Sequence, residues 1–486
     1  MTARPTTNRW IVLVVVCLAQ FMVVLDVTIV NVALPSIQRA LHFSATGLQW
    51  VVNGYTLVFA GCLLLGGRAA DLLGRRRLFV LGVLLFSIAS LVNALAQSSG
   101  VLIAGRALQG LGAALVSPAA LAIITTTFPE PAERTKALGV WSAIAAGGAA
   151  FGLLLGGILT DTLSWAWIFL VNVPVGVGAV LAALRWVPES RAGLTHRIFD
   201  LAGAATVTGG LMLLVYTIVK AQQYGWGASE TLLLGATSLV ILAGFVVIEQ
   251  RSRHPLVRLS IFRVRSLTSA DLILMLLGAG MYSMFYFASL YTQDILGYDP
   301  LKAGLAFLPV SVGIIVGAVA AQQLIGRVGV RAVGTAGLMI ATAGMILLTG
   351  ITPAGTYLGS LLIGLGPLSI GIGLTFVPIT LLATANVSDE DAGLASGLYN
   401  TSQQIGGALG LAILSTLAAD KTTSALMVLG RAPAAADRAA ATVDGFQVAF
   451  IGGAIALGLA AILMRSLIRP SDVDSIDPTT PLPVPG

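Results

Sequence analysis

Long apolar runs separated by short polar segments repeat along the whole chain of 486 residues. A helix that crosses about 30 Å of hydrocarbon needs about 20 apolar residues. Dividing the chain at clusters of charge, proline and glycine gives fourteen such runs, so the pattern predicts an all-α membrane protein with fourteen spans. The predicted spans cover residues 11–34, 47–66, 78–97, 101–127, 136–159, 164–184, 201–220, 231–248, 267–291, 301–325, 333–351, 357–383, 393–418 and 445–466.

Composition excludes several classes of protein. Charged residues make up 10% of the chain and apolar residues 57%, whereas soluble domains carry about 25% charged residues. No stretch is long and polar enough for a catalytic or nucleic-acid-binding domain, so we expect neither an enzyme nor a nucleic-acid partner despite the net charge of +6. The sequence contains no P-loop for ATP. Both cysteines lie in apolar runs, and we expect no metal site and no cofactor.

The basic residues predict how the chain is oriented. An even number of spans leaves both termini on one side, and 20 of the 27 Lys and Arg residues fall in the segments on that side. Such an excess marks cytoplasmic loops. The abundance of arginine and alanine suggests a bacterial source. We therefore expect a multi-pass protein of the bacterial plasma (inner) membrane with both termini in the cytoplasm and a disordered Pro-rich tail at 468–486.

Two pairs of similar stretches predict two related halves. The stretch AADLLGR resembles AQQLIGR further along the chain, and GRALQGLGAALVSP resembles GPLSIGIGLTFVP. Spans 1–6 and 9–14 then form similar six-helix halves with spans 7 and 8 inserted between them. The predicted domains are an N-terminal half (1–185), a linker with two inserted helices (186–265) and a C-terminal half (266–467). Parallel six-helix halves around a midplane site resemble the major-facilitator architecture.

Two opposite charges interrupt the apolar spans. Asp26 stands in FMVVLDVTIVNVALP and Arg106 in LIAGRALQGLGAA, about 12 Å and about 8 Å below the outer ends of spans 1 and 4. Pairing at this similar depth would lower the cost of both charges. Because burial favours a protonated carboxyl and a nearby arginine favours the charged form, we predict that Asp26 carries a coupling proton and Arg106 tunes it. The alternatives are a structural, hydrogen-bonded Asp26 and an Arg106 that snorkels to the headgroups.

Two further patterns have both a structural and a functional interpretation. The loop between spans 2 and 3 places Asp71 four and five residues before Arg75 and Arg76. This arrangement predicts a breakable cytoplasmic latch, although arginines in such a loop also serve as simple anchors. In span 5, glycines recur every four residues from Gly148 to Gly156, which predicts a small face for close helix packing.

These motifs resemble those of the major facilitator superfamily, and in particular its fourteen-span drug:proton antiporters of the multidrug-exporter type. LDVTIVNVALP (25–35) matches the span-1 pattern of that family throughout. Leu153 replaces the proline of the antiporter signature, and Ala166 stands where relatives usually have arginine. The other matched positions are Gly67, Asp71, Gly74, Arg75, Arg76 and Arg77 in the loop; Arg106, Gln109, Gly110 and Gly112 in span 4; and Gly148, Gly152, Gly156 and Gly157 in span 5.

The resemblance implies efflux of hydrophobic drugs in exchange for protons, with a monomer expected to suffice. No acid occurs between residues 393 and 418, where some relatives that export divalent cations carry one, so we expect monocationic or neutral substrates. The alternatives are a dedicated exporter of one endogenous metabolite or lipid, and a membrane sensor or intramembrane enzyme. Asp271, near the start of span 9, is assigned a structural or vestibule role. The candidate substrate-lining residues are Met22, Asn31, Trp50, Asn53, Tyr55, Phe59, Tyr282, Phe285, Tyr286, Tyr291 and Asn400.

Overall fold

The computed structural model describes residues 8–128, 131–190, 201–252, 255, 257–384, 387, 392–429 and 431–469, and in these residues the regular structure is helical. The first helices are α1 (Arg9–Leu41), α2 (Ala45–Leu48), α3 (Trp50–Leu73), α4 (Arg75–Ala94), α5 (Ser99–Thr127), α6 (Pro131–Thr162), α7 (Trp167–Leu170) and α8 (Asn172–Trp186). The following ones are α9 (Leu201–Tyr224), α10 (Ser229–Arg251), α11 (Arg265–Leu290), α12 (Pro300–Ala306), α13 (Leu308–Val328), α14 (Val330–Leu348), α15 (Leu362–Thr384), α16 (Ala392–Met427) and α17 (Ala435–Leu467).

In the described part of the chain, eleven helices are long and apolar enough to cross a membrane. Three further predicted spans, 47–66, 136–159 and 393–418, coincide with long helices, α3, α6 and α16. The predicted all-helical membrane architecture is therefore confirmed, whereas the count of fourteen stays a prediction. The predicted domain boundary at 186–265 lies partly outside the described residues, and the tail at 468–486 does so almost entirely.

The helices pack around two large apolar cores. One core joins α1, α3, α4, α5 and α8, with Phe79, Phe86 and Phe128 among its fully buried side chains. The other joins α11 and α13–α17. This second core also takes in Ile29 and Leu34 from the later part of α1. The two bundles of helices are therefore in contact through the half of α1 that follows Asp26.

The pair α9 and α10 lies against both bundles. Leu211, Val215 and Val219 of α9 pack with Leu57 of α3 and with two alanines of α16. Only 11% of an apolar 18-residue stretch of α10 is buried within the protein. An apolar helix that exposes most of its surface fits a lipid environment, so α10 is the outer member of the pair and α9 covers the junction of α3 with α16.

Glycine pairs give the two bundles a similar construction. In α5, a Cβ on Gly110 or Gly112 would meet backbone of α3 or α4, respectively. In α15, Gly371 and Gly373 lie equally close to the backbones of α14 and α13. These four positions belong to the second repeated stretch, so the repeat corresponds to one helix wedged between the two helices that precede it in the chain.

Candidate functional site

A buried ion pair joins α1 to α5. Nη1 of Arg106 donates to Oδ2 of Asp26, and the two side chains are 1% and 0% exposed. Nε of Arg106 donates to the backbone carbonyl of Val51 at 2.8 Å, and the guanidinium lies over the Tyr55 ring at 4.5 Å from its centroid. These three contacts hold the guanidinium inside the bundle, where Arg106 is buried.

Two amides complete the surroundings of the Asp26 carboxylate. Nε2 of Gln109 and Nδ2 of Asn172 both donate to Oδ1 of Asp26, at 3.0 and 3.1 Å. Oε1 of Gln109 accepts from Arg106 at 2.8 Å, so Gln109 bridges both members of the ion pair. A buried ion pair is tolerated when further hydrogen bonds satisfy its remaining donors and acceptors. Here these further side-chain hydrogen bonds come from Gln109 of α5 and Asn172 of α8.

A second layer of polar side chains comes from α4. Nε2 of Gln109 also donates to Oγ of Ser90 at 2.7 Å, and Nδ2 of Asn93 donates to Oε1 of Gln109 at 2.5 Å. Ser90 and Asn93 are both fully buried. They lie three residues apart and so on one face of the helix. The sequence led to no prediction for Ser90, Asn93 or Asn172. Each is a polar residue within an apolar span, which is the same pattern that led to the prediction for Asp26.

The ion pair lies close to the contact between the two bundles. Five residues beyond Asp26, the carbonyl of Asn31 accepts from Oγ of Ser289 at 2.6 Å, and the carbonyl of Val32 accepts from Nε2 of Gln293 at 2.8 Å. Five residues of helix span about 8 Å. A tilt of α1 about Asp26 would therefore act directly on these hydrogen bonds to α11 and to the π-helical turn that follows it, Tyr291–Ile295.

The glycines of predicted span 5 lie against α1. A Cβ on Gly156 would stand 2.7 Å from the carbonyl of Ile29, and one on Gly152 would stand 3.0 Å from the carbonyl of Leu25. Gly148 faces Phe21 and Val24 in the same row. Gly157 instead approaches Pro300 and Leu301 of α12. This small face therefore allows α6 to pack closely along α1, the helix that carries Asp26. Leu153, in place of the expected proline, is 1% exposed within an uninterrupted α6.

The loop between α3 and α4 is held by an acid that sequence analysis did not identify. Gly74 turns with φ +114°, and the backbone N–H of Arg76 donates to Oε1 of Glu189 at 3.2 Å. The side chains of Arg76 and Arg77 lie 3.9 and 3.7 Å from Oε2 of Glu189. Glu189 follows α8, so the described contacts of the loop are within one bundle. The predicted partner, the side chain of Asp71, lies outside the described residues.

The candidate lining residues fall into two groups. Met22, Asn53, Tyr55, Phe59, Tyr286 and Tyr291 are buried. Asn31, Trp50, Tyr282 and Phe285 are half-buried, and Asn400 is exposed. The Tyr282 hydroxyl donates to Oε1 of Gln404, and the Tyr291 hydroxyl donates to the carbonyl of Thr352 at 2.8 Å. In this conformation the half-buried and exposed residues are the accessible part of the set, and the role of all of them stays a prediction.

Comparison with known proteins identifies the kind of protein to which this chain is similar. A family model described as Major Facilitator Superfamily matches residues 16–411. A puromycin resistance protein of Streptomyces alboniger is 42% identical over 467 residues, which cover 96% of this chain and 92% of that protein. A cephamycin export protein of Amycolatopsis lactamdurans is 41% identical over 86% of this chain and 87% of its own length.

The fold also matches solved transporter structures. A bacterial homologue of the human lysosomal transporter Spinster, in an inward-facing and unoccupied conformation, aligns with a TM-score of 0.66. The alignment covers 96% of this chain and 98% of that chain at 18% sequence identity. At that identity the likeness concerns the fold alone.

The ion pair generates a prediction about stability. Replacing Arg106 by leucine leaves the Asp26 carboxylate buried without its cation, which costs about 3–5 kcal/mol of the free energy of unfolding. Adding Asp26→Asn to Arg106→Leu should restore part of that loss, so the two substitutions are not additive. Unfolding in mixed detergent micelles measures both effects. Arg438→Leu, at an exposed position, serves as the control and should change stability by about 0.5 kcal/mol or less. Additive losses would contradict an energetic coupling between Asp26 and Arg106.

Proposed function

The chain belongs to the major facilitator superfamily of membrane transporters, and from that premise we propose that it exports hydrophobic drugs or antibiotics in exchange for protons by alternating access. Its similarity to resistance and export proteins supports efflux. The observation that carries the proton-coupling part is the fully buried Asp26, held by Arg106, Gln109 and Asn172. As a superfamily member the protein is a transporter, which confirms that it is not an enzyme.

For the topology, we propose fourteen spans arranged as six, two and six, with both termini in the cytoplasm of a bacterial cell. The two apolar cores support two six-helix halves. The position of α9 against both α3 and α16 supports an inserted pair that covers one junction between the halves. The excess of arginine in the segments on the N-terminal side supports the orientation.

Alternating access requires two arrangements of the halves, and the described contacts support one that is open towards the Arg75–Arg77 side. The hydrogen bonds from Ser289 and Gln293 to α1 lie at the opposite end of the bundle. The close approach of Gly157 to α12 lies at that end too. With the proposed orientation, this is a state closed to the outside and open to the cytoplasm, in which substrate is taken up.

The chemistry of coupling follows from the groups around Asp26. When Asp26 takes up a proton, it loses the charge that holds Arg106 and gains a donor. Arg106 keeps its bonds to the Val51 carbonyl and to Gln109, so it stays inside the bundle while its link to α1 weakens. Since α1 also carries the acceptors for Ser289 and Gln293, a shift of α1 would loosen the closed end. Proton uptake from outside would in this way be tied to the opening that releases substrate.

The proposed substrates are monocationic or neutral amphiphiles. The half-buried Tyr282 connects α11 to α16 through Gln404 and also lies within reach of Thr56 on α3. Aromatic and amide groups at the meeting point of both halves can hold apolar rings and a single positive charge without a dedicated ion pair. A second candidate function is the export of one endogenous compound, since the similar cephamycin export protein is named for a single antibiotic.

The first transport prediction concerns Asp26. In proteoliposomes with an imposed proton gradient, Asp26→Asn should abolish concentrative transport of a cationic dye, because the amide cannot take up and release the coupling proton. The variant should stay monodisperse in size-exclusion chromatography. Asp161→Asn, at an exposed position on α6, is the matched control and should transport like the wild type. If Asp26→Asn still concentrates the dye, Asp26 does not couple proton flux to export.

The second transport prediction separates multidrug export from export of one compound. Expression in a drug-sensitive bacterial strain should raise the resistance to several structurally unrelated monocationic or neutral compounds, with little effect on dications. The panel should include puromycin, cationic dyes and bis-quaternary dications. Resistance to one compound alone would favour the dedicated exporter, and resistance that extends equally to the dications would contradict the proposed substrate class.

A further inference from the structure

A cavity of about 250 Å³ lies away from the Asp26 cluster, where α9 and α10 meet α3, α11 and α16. Apolar side chains make up most of its lining, including Phe245, Phe262, Leu272 and Met275. Asp271 of α11 is the one ionisable group among the described residues that line it. The cavity is therefore an apolar chamber with a single carboxyl group in its wall.

Asp271 is buried, like the residues of the candidate site, yet it lacks hydrogen-bond partners of the kind that Asp26 has. Its exposure is 5%, and neither carboxylate oxygen has a hydrogen-bond partner among the described residues. The nearby Tyr399 hydroxyl accepts from Thr380 on α15. A buried, unpaired carboxylate costs several kcal/mol unless it is neutralised or finds a donor. Asp26 meets this requirement with three side chains, whereas the structure leaves the Asp271 oxygens directed into a cavity.

We propose that this cavity binds the ammonium group of an amphiphilic amine, with Asp271 as its counter-ion. Two unoccupied acceptor oxygens match the N–H donors of a protonated primary amine. Phe245 and Phe262 line the same cavity, so they supply aromatic surface for the cation and apolar surface for the alkyl chain. The volume is slightly below the range of about 300–1,000 Å³ of pockets that enclose a whole drug-sized molecule, so the cavity accommodates the ammonium-bearing arm of a larger ligand.

The exposed rim of the cavity indicates where such a ligand enters. Phe262 and Leu272 are 41% and 45% exposed on the outer surface of the bundle. Asp271 lies six residues after the first residue of α11, about 9 Å along the helix. With the proposed orientation, the opening faces the cytoplasmic half of the bilayer, where amphiphilic amines accumulate with their charge among the headgroups.

The cavity also adjoins a contact between the two halves. Oγ1 of Thr401 on α16 donates to the carbonyl of Ala60 on α3 at 3.4 Å, and both residues line the cavity. Separation of these two helices would connect the cavity with the space between the halves. As a step in export, this part of the inference rests on the proposed function: the cavity would be an access site from which amines pass to the central site. Binding at Asp271 itself does not require transport.

The test is equilibrium binding of a fluorescent amine to the full chain in lipid nanodiscs, without any proton gradient. Dansylcadaverine carries one primary ammonium group at neutral pH, and its N-acetyl derivative is a neutral analogue with the same dansyl group. Wild-type protein should bind the amine about tenfold or more tightly than the acetylated analogue. Asp271→Asn should abolish that preference by weakening amine binding about tenfold, while binding of the analogue stays unchanged.

Further variants keep the test decisive if Asp271→Asn does not fold. Asp271→Glu retains the charge and should retain the preference for the amine. Met275→Trp retains Asp271 but fills the cavity, so it should weaken binding of both probes. Asp294→Asn removes an exposed acid at the other end of the same helical segment, and it should bind both probes like the wild type.

The inference is overturned if wild-type protein binds the two probes equally, or if Asp271→Asn or Met275→Trp binds the amine as tightly as the wild type. Its failure is distinguishable from failure of the export mechanism, because binding is measured without a gradient. Asp26→Asn should keep the preference for the amine even though it cannot couple transport. Conversely, loss of the preference in Asp271→Asn with normal dye export would assign the cavity to binding alone.

Discussion

The packing of α1, α3, α5 and α8 depends on one constraint: a carboxylate and a guanidinium that are both withdrawn from water must bind each other, and their remaining polar atoms must find other partners. Asp26 and Arg106 do so through Gln109, Asn172 and the Val51 carbonyl. These contacts connect α1, α3, α5 and α8 with one another around the ion pair. Either charge alone would be too costly in this interior, so the cluster fixes which faces of these helices meet.

Close helix packing makes this polar cluster compatible with a membrane interior. Gly110 and Gly112 let α5 approach the backbones of α3 and α4, and Gly152 and Gly156 let α6 lie along α1. Without an apolar driving force between helices in lipid, such small faces are a principal source of association. The same helix α1 then carries the buried acid, the glycine-rich contact with α6 and the acceptors for Ser289 and Gln293. In the proposed mechanism, a change in charge at Asp26 reaches the contact between the two bundles through one rigid helix, α1.

Much of this arrangement could be predicted from the sequence, and the remainder has physical reasons. Asp26 and Arg106 were identifiable because a charge in an apolar span needs a partner at the same depth. The small face of α6 followed from glycines at a spacing of four residues. Glu189 could not be predicted because it lies more than 100 residues from this loop in sequence, and the loop contains an acid of its own, Asp71. Ser90 and Asn93 were missed because neutral polar residues occur in many spans and become informative only when their helix face is known.

Two other sequence interpretations depended on knowing which face of a helix is covered. Tyr286 and Tyr291 were selected as lining residues from their type, yet both are buried in this conformation. Asp271 was assigned a structural or vestibule role from its place near the start of span 9, and the structure encloses it beside α9 and α10. Periodicity shows that a helix has a polar position, but only the packing of α9 and α10 determines whether that position meets water, lipid or a cavity.

The central claim is that the protonation state of Asp26 sets the relative position of the two halves. Pulsed electron paramagnetic resonance measures this directly, with spin labels at Asp161→Cys on α6 and Lys302→Cys on α12 in a background without Cys17 and Cys62. Both labelled positions are exposed. The account predicts that the distance distribution differs between mildly acidic and mildly alkaline buffer in this background, and that adding Asp26→Asn makes it the same in both. A pH-dependent shift that persists unchanged with asparagine at position 26 would contradict it.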